Sequence, residues 1–114
     1  IGRCEAMILT LVSQAAKRGV PSVLDLGFTK RAHREAIAAA CADAGYVSAI
    51  HFVDGDSTVR WERVKKRNLK QGETYVMQVD RAMFDFMEAM WEPPFPEEWQ
   101  ANGGLRVTME DLNV

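Results

Sequence analysis

Three arginines recur at helical spacing in the middle of the chain, at Arg60, Arg63 and Arg67. Intervals of three and four residues place their side chains on one face of a helix. A guanidinium group binds two phosphate oxygens at once and neutralises the charge that develops during phosphoryl transfer. This spacing therefore suits a phosphate-binding face, although a solvated basic surface has the same pattern.

An aspartate in a predicted strand is the second candidate for this chemistry. Val23–Leu26 is a short apolar run between Pro21 and Gly27, which is typical of a buried strand, and Asp25 lies inside it. A carboxylate at the end of such a strand positions magnesium or accepts a proton from a hydroxyl group. We therefore predict Asp25 as a catalytic residue, the alternative being a turn or helix-capping aspartate.

A strand–helix–strand unit is predicted to position Asp25. Thr29 is suited to cap a helix that ends at Gly45, and Val47–Val53 is a second apolar run typical of a strand. A unit of this length predicts a parallel sheet with a right-handed crossover. Ligands bind at the carboxyl ends of such strands, where Asp25 and Asp54 are expected to lie.

The remaining elements follow from periodicity and capping residues. Apolar residues at helical spacing predict a helix over Arg3–Lys17, and Asp56 or Ser57 is suited to cap the helix that carries the arginines. Residues 71–78 are predicted to be a loop or flap, and Leu105–Met109 alternates like a strand at a sheet edge. We predict one α/β domain over residues 1–114, with a short, mainly parallel sheet and flanking helices.

A fourth helix, capped by Asp80, is apolar around most of its circumference. Its polar seam is narrow and consists of Arg81, Asp85 and Glu88. Such a helix is predicted to be deeply buried or to form an interface. Its apolar residues are Met83, Phe84, Phe86, Met87, Met90 and Trp91.

Composition restricts the classes of function. The 114 residues are 47% hydrophobic and carry a formal net charge of −2, which argues against specific nucleic-acid binding and against membrane association. No apolar run reaches the roughly 18 residues of a membrane span. Cys4 and Cys41 lack the spacing of metal ligands, so we assign no metal site and predict a reduced, cytoplasmic protein.

The order of these segments resembles the later part of small P-loop kinase-like ATPases. This AAA-type, ATP-binding group includes zeta-toxin, chloramphenicol phosphotransferase and polynucleotide kinase relatives. The segments that carry the resemblance are VLDLGFTKRAHREAIAAACADAG, IHFVDGDSTVRWERVKKRN and DRAMFDFMEAMWEPP. The resemblance extends from the first helix to the proline-rich connection after Trp91.

The resemblance implies a nucleoside monophosphate kinase-like fold and specific roles for the candidate residues. Asp25 corresponds to the strand aspartate that lies beside the nucleotide phosphates and magnesium. Arg60, Arg63 and Arg67 correspond to the arginines of the lid that closes over the phosphates. ATP and Mg²⁺ are implied as cofactors of the complete family domain, and the activity implied is phosphorylation of a small-molecule or nucleotide-like acceptor that the sequence does not specify.

The chain departs from this family at the phosphate-binding loop. No GxxxxGK[ST] stretch occurs in the 114 residues, so the backbone nest and lysine that hold ATP are missing. We therefore expect an incomplete fold, a C-terminal portion of the domain that binds no cofactor and is inactive alone. The sequence also opens on Ile1 rather than Met, which suggests a fragment.

The missing loop has a structural consequence and leaves alternatives open. In the family, the strand that carries this loop lies between the strands equivalent to Val23–Leu26 and Val47–Val53. Two unpaired strand edges and the apolar fourth helix predict a homodimer. The alternatives are a free-standing, non-catalytic dimerising module, or an anion-binding protein that uses only the arginine face.

Overall fold

Helices occupy most of the regular structure in the computed structural model, which describes residues 2–72, 77–109 and 111. The elements, in chain order, are α1 (Arg3–Lys17), α2 (Arg31–Asp43), β1 (His51–Asp54), α3 (Ser57–Lys70), α4 (Arg81–Met90), α5 (Pro96–Trp99), a 3₁₀ turn (Ala101–Gly103) and β2 (Leu105–Thr108). The predicted first helix is confirmed with the same bounds. Residues 73–76 of the predicted loop lie outside the described residues.

The sheet is parallel, as predicted, but it consists of different strands. β1 pairs with β2, in a register that runs from His51 opposite Leu105 to Asp54 opposite Thr108. The late strand is therefore confirmed, and the strand predicted at 47–53 is shorter and begins later. The strand predicted at Val23–Leu26 is wrong, because these residues form no regular structure.

The physical reason is that residues 23–26 have no neighbouring strand. A single extended segment gains no ladder of hydrogen bonds, and it buries its side chains only if another layer covers it. Val23 is 97% exposed, while Leu24 and Leu26 are half-buried, so the apolar run that suggested a buried strand is only partly covered. The composition of this run therefore suits a more complete sheet than β1 and β2 provide.

The start of α2 is stabilised by a residue that lies far from it in the sequence. Thr29 was predicted as the cap, but the capping position is Lys30, whose side chain makes no capping hydrogen bond. Instead, the carboxylate of Glu92 accepts a hydrogen bond of 2.9 Å from the amide of Arg31, and the amide of Glu92 donates to the carbonyl of Thr29 at 2.8 Å. The prediction at Thr29 therefore located the helix start but not its cap.

Other predicted helix boundaries are confirmed by their hydrogen bonds. Asp56 accepts a 2.8 Å bond from the amide of Thr58 at the start of α3, and the side chain of Asp80 accepts one from Met83 at the start of α4. α2 ends at Asp43, and Gly45, which follows the C-cap residue Ala44, has a φ of +86° that a glycine adopts without steric cost.

The hydrophobic core is small. Its buried apolar residues are Ile37, Cys41, Phe52 and Phe84, and none of the described side chains is fully buried. The chain has 8497 Å² of accessible surface, whereas a folded monomer of 12.8 kDa is expected to have about 6,300 Å². The radius of gyration of 16.2 Å also exceeds the roughly 13 Å expected of a domain this size. The fold therefore exposes more surface than its length requires.

Candidate functional site

A small cavity lies at the carboxyl ends of the two parallel strands. Its volume is about 250 Å³, and it is lined by the last residue of each strand, Asp54 and Thr108, together with Arg63 of α3 and Arg106 of β2. Parallel strands place their carboxyl ends at one edge of a sheet, which is the usual ligand-binding edge in α/β proteins. We call the cavity that these four residues line the strand-end cavity.

The charges of the strand-end cavity are partly neutralised within the chain. Arg106 donates from Nε and Nη2 to Oδ2 of Asp54, at 2.9 and 2.6 Å. The carboxylate of Asp111 accepts a hydrogen bond from the amide of Thr108, which lowers the pKa of Asp111. Among the described residues, Arg63 forms no ion pair with an acidic side chain. The cavity is also lined by Asp56, so two arginines and two aspartates share it.

The three predicted arginines have different environments although they share one face of α3. The guanidinium group of Arg60 forms a bidentate ion pair with Glu88 of α4 and lies 5.9 Å from the ring centroid of Phe84. Its Nε also donates to the carbonyl of Gly55 at 2.9 Å. Arg60 therefore holds α3 against α4, Arg63 lines the strand-end cavity, and Arg67 is half-buried outside it.

Asp25 does not join the arginines in a shared cavity. It is exposed, lies in the irregular segment before α2, and lines neither the strand-end cavity nor the larger groove described next. The structure thus brings Arg63 to the ligand-binding edge of the sheet and leaves Asp25 in solvent.

A larger, apolar groove runs along the other side of β1. Its volume is about 490 Å³, and its two walls are residues 20–24 and residues 46–52. Ile37 and Cys41 of α2 form its floor, and Trp91 contributes to one end. The ring centroid of Trp91 lies 6.2 Å from that of Phe52. The first two residues of β1 and part of the segment that was predicted to be its partner strand therefore line the same groove.

The edge of β1 that faces away from β2 has unpaired backbone groups. Leu105 donates its amide to the carbonyl of Ile50, and Met109 donates to that of Asp54. In a parallel pair, alternate residues of a strand point their amide and carbonyl groups to the same neighbour. The backbone groups of His51 and Val53 therefore point away from β2, toward the side of the groove. His51 is exposed and lines this groove.

The sequence analysis missed a buried arginine beside the groove. Arg34 donates from Nε and Nη2 to the carboxylate of Glu98, at 2.6 and 3.1 Å, with side chains only 6% and 9% exposed. It also donates to the carbonyl of Phe28 at 2.9 Å and lies over the ring of Trp91, 5.8 Å from the centroid. The sequence contained one signal for the burial of Arg34, which is its position three residues before Ile37 on the apolar stripe of α2.

The two parallel strands and the flanking helices define a small α/β domain. A family model described as an AAA domain matches residues 1–94. The chain belongs to this family, in agreement with the resemblance seen in the sequence. No curated protein and no solved structure matches the chain.

The AAA family implies nucleotide and Mg²⁺ use in its complete domain. The first amide of α2, that of Arg31, already donates to the carboxylate of Glu92 and is therefore not free to bind a phosphate. Within residues 2–72, 77–109 and 111, no group of three or more His, Cys, Asp or Glu side chains is placed to hold a metal ion. None of the described helices is long and apolar enough to cross a membrane.

Proposed function

We propose that this chain is part of a P-loop kinase-like phosphotransferase domain and that the 114 residues alone neither bind ATP tightly nor transfer phosphate. The observation that carries the proposal is the groove along β1. It is lined by the first two residues of β1, by residues 20–24 and by the apolar side chains of Ile37 and Cys41 on α2.

In the family, the strand that carries the phosphate-binding loop lies between these two segments. The groove supports the proposal that such a strand completes the sheet, because adjacent strands lie about 4.8 Å apart and an inserted strand pairs with both neighbours. It would hydrogen-bond His51 and Val53 and cover Val23, which is otherwise exposed. The strand predicted at Val23–Leu26 would then have the partner that it lacks here.

The strand-end cavity supports a role for Arg63 in holding phosphate oxygens. Arg63 lies at the carboxyl end of the sheet, on the helix that the resemblance assigns to the lid. Arg60 has a positioning role in this proposal, because its ion pair with Glu88 fixes the angle between α3 and α4. One arginine cannot replace a preorganised nest of backbone donors, so the affinity of the chain alone for triphosphate is low.

Calorimetry with magnesium–ATP tests this proposal directly. We expect no submicromolar binding and no ATP hydrolysis by the 114-residue chain. Tight one-to-one binding that is abolished by Asp25→Ala would overturn the proposal. Asp43→Ala is the matched control, since Asp43 is likewise exposed but lies at the far end of α2.

A second candidate function is a free-standing, non-catalytic module that dimerises. The observation that favours it is the exposed apolar surface of α4, where four large side chains lie in solvent. Both candidates predict that calorimetry detects no tight binding of ATP. A measurement of the association state tests the second candidate, because a chain that stays monomeric contradicts it.

A further inference from the structure

Helix α4 exposes a continuous apolar stripe. Met83, Phe86, Met87 and Met90 are 39%, 66%, 53% and 36% exposed. They follow one another at intervals of three, one and three residues, which is the spacing of one helix face. We call these four residues the α4 stripe.

The α4 stripe does not face the core of its own chain. At 100° per residue, its four members fall within an arc of about 100°, while Phe84 lies beside this arc and points elsewhere. Phe84 is the residue that α4 buries, with its ring centroid 5.3 Å from that of Trp61 on α3. The charged residues Arg81, Asp85 and Glu88 lie on the side of the helix opposite the stripe. Among the described residues, the stripe is therefore covered neither by the hydrophobic core nor by the charged side chains of α4.

The stripe is self-complementary when two copies of α4 run antiparallel. The intervals between Met83, Phe86, Met87 and Met90 are three, one and three residues, so they are the same when read from either end of the helix. If a twofold axis passes between positions 86 and 87, Met83 lies opposite the partner's Met90 and Phe86 lies opposite the partner's Met87. Methionine sulfur packs favourably against aromatic rings, so both central contacts are favourable. We propose that the α4 stripe is a homodimer interface in which two α4 helices pack antiparallel.

The charges of α4 permit this pairing. Arg81 forms an ion pair with Asp85 at 3.0 Å, and Glu88 pairs with Arg60 of the same chain. Each charge is thus compensated within its own chain and lies away from the contact, so dimerisation buries no unpaired ion. Ala82 and Ala89, which are exposed beside the stripe, leave room for the two helices to approach closely.

The buried area sets the expected strength. Large side chains have about 200 Å² of surface, so four half-exposed ones offer roughly 400 Å² per chain, or about 800 Å² for the pair. This is below the usual size of stable interfaces, so we expect a weak, concentration-dependent dimer. The chain's excess of accessible surface over that of a typical folded monomer agrees with an uncovered interface.

Sedimentation equilibrium over a concentration series tests the interface. We expect the apparent mass to rise above 12.8 kDa by the hundred-micromolar range and Phe86→Glu to weaken association at least tenfold. Leu69→Glu is the matched control, because Leu69 is an exposed apolar residue on the neighbouring helix α3. Circular dichroism checks that both variants remain folded. A mass that stays at the monomer value, or a Phe86→Glu protein that associates like the wild type, would overturn the proposal.

Disulfide trapping tests the antiparallel arrangement in a Cys4→Ser background, which removes the exposed native thiol. In a mixture of Met83→Cys and Met90→Cys chains under mild oxidation, we expect cross-links between the two different variants. Met83→Cys alone is expected to give few, since the two copies of position 83 lie seven residues apart along the antiparallel axis, about 10 Å. Cross-linking of Met83→Cys to itself in preference to the mixture indicates a parallel pair and contradicts the proposed geometry.

Discussion

The carboxylate of Glu92 joins two parts of the chain that are about sixty residues apart. It accepts a hydrogen bond from the amide of Arg31 and lies 3.4 Å from Nζ of Lys30. The positive end of α2 and these donors favour the ionised carboxylate, so the pKa of Glu92 is held below its ordinary value of 4.5, chiefly by the amide of Arg31. One side chain thus caps α2 and fixes the connection after α4.

We expect Glu92→Gln to lower the melting temperature near neutral pH and to reduce its dependence on pH. A carboxylate whose pKa is lowered by folding contributes stability above its unfolded pKa and loses it as the pH falls through the folded pKa. The difference between wild type and Glu92→Gln should therefore be full at neutral pH and vanish in strong acid. Thermal unfolding from pH 7 to pH 2 measures it, with Glu62→Gln on the exposed face of α3 as the control. A difference that is independent of pH would show that the amide geometry matters rather than the charge.

The contacts of single residues could be predicted from the sequence where neighbouring residues in the chain determine them. The caps at Asp56 and Asp80 follow from residue type and position alone, and both are confirmed. The partners of Arg34 and Arg60 are Glu98 and Glu88, 64 and 28 residues away, which no local pattern specifies. Sequence spacing grouped three arginines on one face, but only the tertiary fold decides which of them is neutralised.

At the scale of elements, a strand exists only where a neighbour pairs with it. Val23–Leu26 and the end of Val47–Val53 have similar apolar composition, yet only the second forms a strand, because β2 lies beside it. Helices satisfy their own backbone, so α1 could be predicted to the residue, whereas strands depend on distant partners. The sequence therefore predicted a parallel sheet and the two segments that form its strands, but it wrongly assigned Val23–Leu26 as the partner of the strand at 47–53.

The approach of β2 to β1 depends on a glycine. A Cβ atom at Gly104 would overlap the carbonyl oxygens of Trp99 and Ile50, which are backbone atoms that cannot move aside independently. Gly104 immediately precedes Leu105, whose amide donates to the same carbonyl of Ile50. We expect Gly104→Ala to destabilise the protein by about 1–3 kcal/mol, a typical cost of overpacking.

Gly72→Ala is the matched control for this substitution. No heavy atom lies within 4 Å of a Cβ built there, and its φ is not positive, so we expect a change within about 0.5 kcal/mol. Urea unfolding of both variants provides the comparison. Equal effects of the two substitutions would mean that the contact between Gly104 and Ile50 does not limit the pairing of β2.

At the scale of the whole molecule, the family match and the folded unit end at different residues. The AAA domain match ends at residue 94, but the sheet and the buried ion pair both need residues beyond it. β2 supplies the only strand paired with β1 among the described residues, and Glu98 supplies the carboxylate for Arg34. The last twenty residues are therefore expected to belong to the same domain as the first ninety-four.

We expect a chain truncated to residues 1–94 to lose cooperative unfolding. Removing one partner of a buried ion pair costs about 3–5 kcal/mol, because the remaining charge of Arg34 is buried without compensation. Loss of β2 also leaves β1 unpaired on both edges, and natural domains are stable by only about 5–15 kcal/mol. Near-ultraviolet circular dichroism and thermal melting compare the truncated and full chains. An Arg34→Met substitution in the truncated chain should recover part of the loss, since it removes the unpaired charge and keeps a side chain of similar length. If residues 1–94 melt as cooperatively as the full chain, the C-terminal segment is an addition to a self-sufficient domain, and the single-domain prediction for residues 1–114 fails.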